Sequence, residues 1–183
     1  VETLPLGRLQ ARDGGFWAGA AGTATTLARL NNRTDVASIY FTSGTEATPK
    51  GVVCTFAELE DNVPPTAAAF AITEDDRILE FRSLNWMSAQ LLGGLVPLAC
   101  GATLLLANGF SRSRFFSWIE RYRATIATGN PTTINMLLNR PVTIDRAAID
   151  QLRFVTSSSA PLLLEDWKAF EARYEIPIAQ GYG

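Results

Sequence analysis

The sequence predicts an α/β fold, a mainly parallel sheet with helices on both faces. Three observations lead there. From residue 77 onward, short β-prone runs alternate with helical patterns of about 10 to 15 residues, the arrangement that builds parallel sheets. Small polar clusters, Gly129-Asn130, Ser157 to Ala160 and Gln180 to Gly183, follow three of the runs, and in such sheets ligands sit beyond the carboxyl ends of strands. The chain has 183 residues, 47% of them hydrophobic, enough for a sizeable core.

In order along the chain, residues 1–34 are rich in Gly, Ala, Thr and Arg with weak periodicity, and read as loop with a short helix. Val36 to Phe41 and Val52 to Cys54 are apolar and β-prone, so the stretch between them is the tip of a strand-turn-strand. Thr55-Phe56-Ala57-Glu58 has the form of a capping box and opens a helix, which Pro64-Pro65 should kink or divide. Arg77 to Phe81 reads as a strand, Trp86 to Cys100 as a helix closed by Gly101, and Thr103 to Ala107 as a buried strand. Arg112 to Arg123 is an amphipathic helix begun near Ser111, and Ala124 to Thr128 is the next strand. Asn130-Pro131 starts a helix, with Asn as cap and Pro in the first turn. Arg153 to Thr156 is a strand, Leu163 to Tyr174 a helix, and Ile176 to Ala179 a last strand.

The tip itself, TSGTEATPKGV from Thr42 to Val52, concentrates hydroxyls, glycines and one lysine. Composition alone fits an ordinary hairpin as well as a phosphate-holding loop. Thr42, Ser43, Thr45 and Thr48 offer hydroxyl donors, Gly44 and Gly51 let backbone N–H groups approach an anion, and Lys50 adds a positive charge. The P-loop pattern GxxxxGK[ST] is not met, because Pro49 precedes Lys50 and Gly51 follows it.

Read as a whole, Phe41 to Val52 resembles the phosphate-loop signature of the acyl-adenylate-forming (AMP-binding) enzymes, written roughly [YF]TSGTTGxPKGV. It departs at Glu46 and Ala47, where that superfamily usually has threonine and glycine. Glu46 brings a negative charge to a loop meant for a polyanion, so it must point away, face a cation, or weaken binding. Ser157 to Leu162 resembles the family's SGGAPL segment, with serines standing where glycines are common and narrowing the space for adenine. Gln180 to Gly183 resembles the start of QGYGxTE, and Leu84 to Gln90 resembles LFHxxAQ with Trp86 at the histidine.

The resemblance, which runs from about Asp35 onward, implies an acyl-CoA synthetase N-terminal domain fold and an ATP-dependent activation of a carboxylic acid. Acyl-adenylate forms first, and CoA then takes the acyl group as a thioester. It implies ATP phosphate contacts at Thr42, Ser43, Gly44, Thr45 and Lys50. Adenylate contacts fall at Ser158, Ser159, Ala160, Gln180, Gly181 and Tyr182, and acyl contacts at Trp86 and Ser88. ATP, Mg²⁺ and CoA are the implied cofactors and co-substrates, and fatty acid metabolism the implied setting. Residues 1–183 would be part of the N-terminal AMP-binding domain, with the lid domain and its catalytic lysine outside this segment. A peptide-synthetase adenylation domain is the first alternative, disfavoured because residues 83–90 contain no acid to hold an amino group. A non-catalytic nucleotide-binding fragment is the second.

Composition sets further bounds. Sixteen basic and 18 acidic residues give a net charge of −2 with no basic block, so nucleic acid is not an expected partner. Cys54 and Cys100 are isolated thiols, which suits a reduced, cytoplasmic setting and gives no zinc site. Histidine is absent, which removes Ser-His-Asp and Cys-His chemistry from these residues, and none is assigned as a metal ligand. Adenylation does not need a general base, since a substrate carboxylate with a pKa of about 4 to 5 is already ionised at neutral pH. Ser83 to Ser111 carries no charge, yet Gly93, Gly94, Pro97 and Gly101 interrupt it, and it reads as buried helix and strand rather than a membrane span. Val1 opens no signal peptide pattern.

Overall fold

The computed structural model describes residues 2–5, 32–41 and 49–182. Its strands are β1 (Glu2–Pro5), β2 (Val36–Phe41), β3 (Gly51–Thr55), β4 (Arg77–Glu80), β5 (Thr103–Leu106), β6 (Ile126–Ala127), β7 (Phe154–Ser157) and β8 (Ile178–Gln180). The helices are α1 (Phe56–Ala69), α2 (Met87–Gln90, continuing through Leu91–Leu95 and Val96–Cys100), α3 (Phe115–Tyr122), α4 (Pro131–Asn139) and α5 (Leu164–Tyr174). One sheet has the order β1-β5-β4-β6-β7-β8, and β5, β4, β6, β7 and β8 run parallel within it. The mainly parallel sheet expected from the alternation is therefore present.

Both faces of that sheet are covered because successive strand residues point to opposite sides. Ile78 and Ile126 turn toward α1 and α2, where they meet Leu92 and Val96. Their neighbours Leu79, Ala127 and Val155 turn the other way, against Phe115, Ile134 and Phe170 of α3, α4 and α5. Each fully buried side chain of this size contributes roughly 1.5–3 kcal/mol of transfer free energy, so the two clusters hold the layers together.

Three expectations need correction. Glu2–Pro5, placed in a loop-and-helix segment, is an edge strand antiparallel to β5, with Glu2 opposite Leu106 and Pro5 opposite Thr103. Four residues are too few to show a period, and the pairing comes from the open edge of β5, a partner 100 residues away that no local pattern reveals. The expected short helix in residues 6–31 lies outside the described residues.

Pro64 and Pro65 do not divide α1, which is helical from Phe56 to Ala69. No residue of this helix is buried, so carbonyls deprived of an N–H partner are open to water. Its N-terminus is the expected capping box. Thr55 Oγ1 accepts from Glu58 N at 3.3 Å, and Thr55 N donates to Glu58 Oε2 at 2.7 Å. The hydrogen bond from the Thr55 backbone, then that from its hydroxyl, hold the Glu58 carboxyl below the ordinary carboxylate range.

The Trp86 to Cys100 helix begins one residue later than expected, with Trp86 as an extended N-cap, and contains a π turn at Leu91–Leu95. Pro97, just beyond that turn, has no N–H to offer the Gly93 carbonyl, and a widened turn accommodates the gap. Gly101 at φ +73° closes the helix in the left-handed conformation that glycine adopts without strain.

At the amino ends of the parallel strands one carboxylate ties three of them together. Asp76 accepts from Thr73 N at 2.9 Å, from Thr125 Oγ1 at 2.6 Å and from Arg153 Nη1 at 2.8 Å. Burial pushes this carboxyl up, but the bonds from Thr125, Thr73 and Arg153 together outweigh it and hold the group below its ordinary value. A carboxyl depressed in the folded state stabilises above its unfolded pKa of about 4, and that stabilisation is lost as the pH falls through the folded value. Asp76→Asn should therefore destabilise the protein by about 2 kcal/mol at pH 7, and the gap from wild type should narrow near pH 3, as measured by urea unfolding at the two pH values.

Candidate functional site

The carboxyl ends of β4, β6, β7 and β8 carry the loops Phe81 to Trp86, Thr128 to Asn130, Ser158 to Ala160 and Gly181-Tyr182. Because β6 lies between β4 and β7, the first three loops are neighbours in space although they are far apart in sequence.

Glu80, the last residue of β4, has a fully buried side chain, and Arg82 two residues on is only 8% exposed. Residues two apart on a strand share a face, and these two form an ion pair. Arg82 Nη2 donates to Glu80 Oε2 at 2.7 Å and Arg82 Nε to Oε1 at 3.0 Å, while the Arg82 backbone N–H donates to Oε1 at 2.8 Å. Thr128 Oγ1, from the next loop, donates to Oε1 at 2.8 Å. The carboxylate thus accepts from every side that is protein, which is the condition under which a charge can stay buried.

Arg82 in turn reaches the two neighbouring segments. Its Nη1 donates to Ser158 Oγ at 3.3 Å and its Nη2 to the Ser88 carbonyl at 3.4 Å. Between them lies a cleft of about 300 Å³, with Trp86 and Ser88 on one side, Ser158, Ser159 and Ala160 on the other, and Arg82 and Asn130 between. The structure therefore brings together the expected acyl residues Trp86 and Ser88 and the expected adenylate residues Ser158, Ser159 and Ala160. Trp86 is 62% exposed, so its ring is a wall of this cleft and not part of the core. Ser159 has φ +72°, a left-handed conformation uncommon for serine.

Room for the buried carboxylate comes from Gly93 in the π turn of α2. A Cβ at that position would stand 2.6 Å from Glu80 Cγ and 2.6 Å from Oε2. Gly129 is similarly constrained, since its Cβ would lie 2.7 Å from the Thr156 carbonyl oxygen. Its N–H donates to Thr156 Oγ1 at 3.1 Å, which locks the loop between β6 and α4 against β7. Asn130 caps α4 by accepting from Thr133 N at 2.9 Å, as the sequence predicts, and also lines the cleft.

The remaining expected site residues lie outside this lining. Gly181 N donates to the Ser157 carbonyl at 2.9 Å, which sets the loop of Gln180, Gly181 and Tyr182 beside the Ser158 loop. Tyr182 is fully exposed and Gln180 exposed. Lys50 is exposed immediately before β3. Thr42, Ser43, Gly44 and Thr45, together with Glu46 and Ala47, lie outside the described residues. The hairpin that carries that loop is joined to the cleft wall, because Tyr40 Oη donates to Gln90 Oε1 at 2.6 Å and Gln90 Nε2 donates to the Leu84 carbonyl at 2.6 Å.

Glu80, Arg82 and Thr128 were not singled out from the sequence. The signal that could have found them is the acid and base two apart at the end of an apolar strand, Ile78-Leu79-Glu80-Phe81-Arg82, where a lone charge would not be tolerated.

Residues 8–183 match the family described as AMP-binding enzyme. The chain is 32% identical over 162 residues to an oxalate–CoA ligase of Arabidopsis thaliana, covering 87% of this chain and 31% of the relative. It is 33% identical over 147 residues to a sulfoacetate–CoA ligase of Cupriavidus necator, covering 80% of this chain and 28% of the relative. Its fold is similar to the O-succinylbenzoate coenzyme A synthetase of Bacillus subtilis in complex with AMP, with a TM-score of 0.73 and 25% identity over 84% of this chain and 31% of that one. The chain spans less than a third of the length of these relatives.

The Glu80 network makes two variants informative. Glu80→Gln leaves the Arg82 guanidinium buried without its counter-charge and should cost about 3 kcal/mol. Gly93→Ala drives a methyl into the same carboxylate and should cost about 1–3 kcal/mol, in spite of the helix preference of alanine. Urea denaturation of each variant checks both; an unchanged midpoint for Gly93→Ala would show that Glu80 can move aside freely.

Proposed function

Because the chain belongs to the AMP-binding enzyme family, we propose that it is part of the N-terminal domain of an ATP-dependent acid–CoA ligase. The observation that carries this reading is the cleft at the carboxyl ends of the parallel strands, where Trp86 and Ser88 face Ser158, Ser159 and Ala160 across Arg82. The names of the relatives, oxalate–CoA ligase and sulfoacetate–CoA ligase, support CoA as the acceptor of the acyl group.

On this reading the substrate carboxylate, ionised at neutral pH, attacks the α-phosphorus of ATP, and pyrophosphate leaves. The CoA thiol then attacks the acyl carbon, and AMP leaves. The task of the protein is to hold two anions together, which N–H and hydroxyl donors and cations accomplish. Thr42, Ser43, Gly44, Thr45 and Lys50 hold the β and γ phosphates. Ser158, Ser159, Ala160, Gln180, Gly181 and Tyr182 flank the adenylate, and Trp86 and Ser88 flank the acyl group. The catalytic lysine is supplied from outside residues 1–183.

Among the described residues no three His, Cys, Asp or Glu side chains are grouped to hold a metal ion. Mg²⁺ on this reading accompanies the ATP phosphates, whose charge it would offset. None of the described residues lining the cleft is acidic, which supports an acid without an α-amino group over a peptide-synthetase substrate. Leu92 and Val96 are buried in the core, so the apolar character of α2 gives no support to a fatty chain. No helix among the described residues is long and apolar enough to cross a membrane. The two isolated thiols Cys54 and Cys100 support a reducing, cytoplasmic setting.

The test is pyrophosphate release by the intact protein with ATP, Mg²⁺ and a panel of carboxylic acids. Acid-dependent release followed by CoA thioester formation is expected. Release only with amino acids would favour the peptide-synthetase reading, and no release with any acid would favour a non-catalytic nucleotide-binding protein. Lys50→Ala should lower kcat/KM for ATP roughly 10- to 100-fold, the effect of one charge-assisted phosphate contact. The 183-residue chain alone should release pyrophosphate far more slowly than the intact protein.

A further inference from the structure

The cleft does not end at Trp86. It adjoins a second hollow of about 500 Å³ with which it shares Arg82, Trp86, Asn130 and Thr132. Phe81, Phe110 and Met136 wall the hollow, and Arg112 stands on its lining. The two lie in one trough. Ser158 to Ala160 line the first hollow and not the second, while Phe81, Phe110, Met136 and Arg112 line the second and not the first.

Among the described residues, the charges lining this trough do not balance. Arg82 is neutralised by Glu80 beneath it. Arg112 donates from Nη1 to the Arg140 carbonyl at 3.1 Å and has no carboxylate partner among the described residues. No described residue lining either hollow is acidic. A guanidinium that is partly sheltered and lacks a counter-charge is a ready binder of carboxylate or another planar anion, through paired N–H donors. The amino end of α4, at Asn130 to Thr132, also faces the trough and adds positive potential there.

We propose that the acid activated at this site carries a second anionic group, held by Arg112 at the end of the trough remote from the reacting carboxylate, with an apolar spacer against Trp86, Phe110 and Met136. This rests on the acid–CoA ligase reading given above and specifies its substrate class.

The test uses matched pairs that differ only in the second carboxylate: butanoate and succinate, hexanoate and adipate, benzoate and terephthalate. Pyrophosphate release by the intact protein gives kcat/KM for each. The diacid should exceed its monoacid at one spacer length at least, and Arg112→Ala should reduce that ratio roughly 10- to 100-fold. Arg112→Lys should retain part of the preference, and turnover of the monoacid by the same variants reports that they are folded. Monoacids preferred at every length, or a ratio indifferent to Arg112→Ala, would overturn the inference and leave the ligase reading standing. So would a rise in KM for CoA with an unchanged acid ratio, which would assign Arg112 to the thiol substrate. No pyrophosphate from any acid would overturn the ligase reading and this inference with it.

Discussion

A carboxylate out of reach of water must find every partner within the protein, and around Glu80 that requirement organises the carboxyl ends of the strands. Its oxygens are met by Arg82 and Thr128, and its volume is left open by Gly93. The attraction within such a pair is largely cancelled by the cost of dehydrating both ions, so the pair is weak evidence for stability. Its effect is on position. A guanidinium is planar and donates in fixed directions, so once Glu80 fixes Arg82, the Ser158 hydroxyl and the Ser88 carbonyl have defined places on either side of the cleft.

The opposite ends of the same strands are held by a second carboxylate, Asp76, with partners on three loops. The two acids do different work because their surroundings differ. Arg153, which pairs with Asp76, has a side chain 36% exposed and also bonds the Phe70 carbonyl, so that pair is a surface clamp. Arg82 is sealed except where it faces the cleft. The parallel sheet thus carries a structural fastening at one end and a support for the cleft at the other, the end where ligands of such sheets usually sit.

Most of the fold was legible from local pattern. The strands at 77–80, 103–106, 126–127, 154–157 and 178–180 and the helices at 131–139 and 164–174 follow from β-prone runs, caps and apolar periodicity, because local sequence and tertiary packing agree there. What escaped depends on distant partners or on solvent. Glu2–Pro5 becomes a strand only because β5 offers an edge, and α1 survives two prolines only because its exposed carbonyls can turn to water. In the site, Trp86, Ser88 and Ser158 to Ala160 were legible through long motif strings. Arg82 was legible only through its spacing from Glu80 at the end of an apolar strand, and Arg112 not at all, since an arginine with no acid near it in sequence carries no sign of whether it faces a cavity.

The hairpin of β2 and β3 stands apart from the main sheet. Two strands alone are marginal in water, and Val36, Ile39, Phe41, Val52 and Val53 remain exposed on this one. Among the described residues it is tied to its surroundings by Tyr40 to Gln90, by Arg33 to Glu60 and Asp61, and by the Asp35 and Arg33 carbonyls accepting from Phe56 N and Ala57 N. The hairpin is therefore expected to open without the main sheet coming apart. Its amides should exchange with solvent through that low-energy opening, and those of β4, β6 and β7 through the opening of the whole sheet.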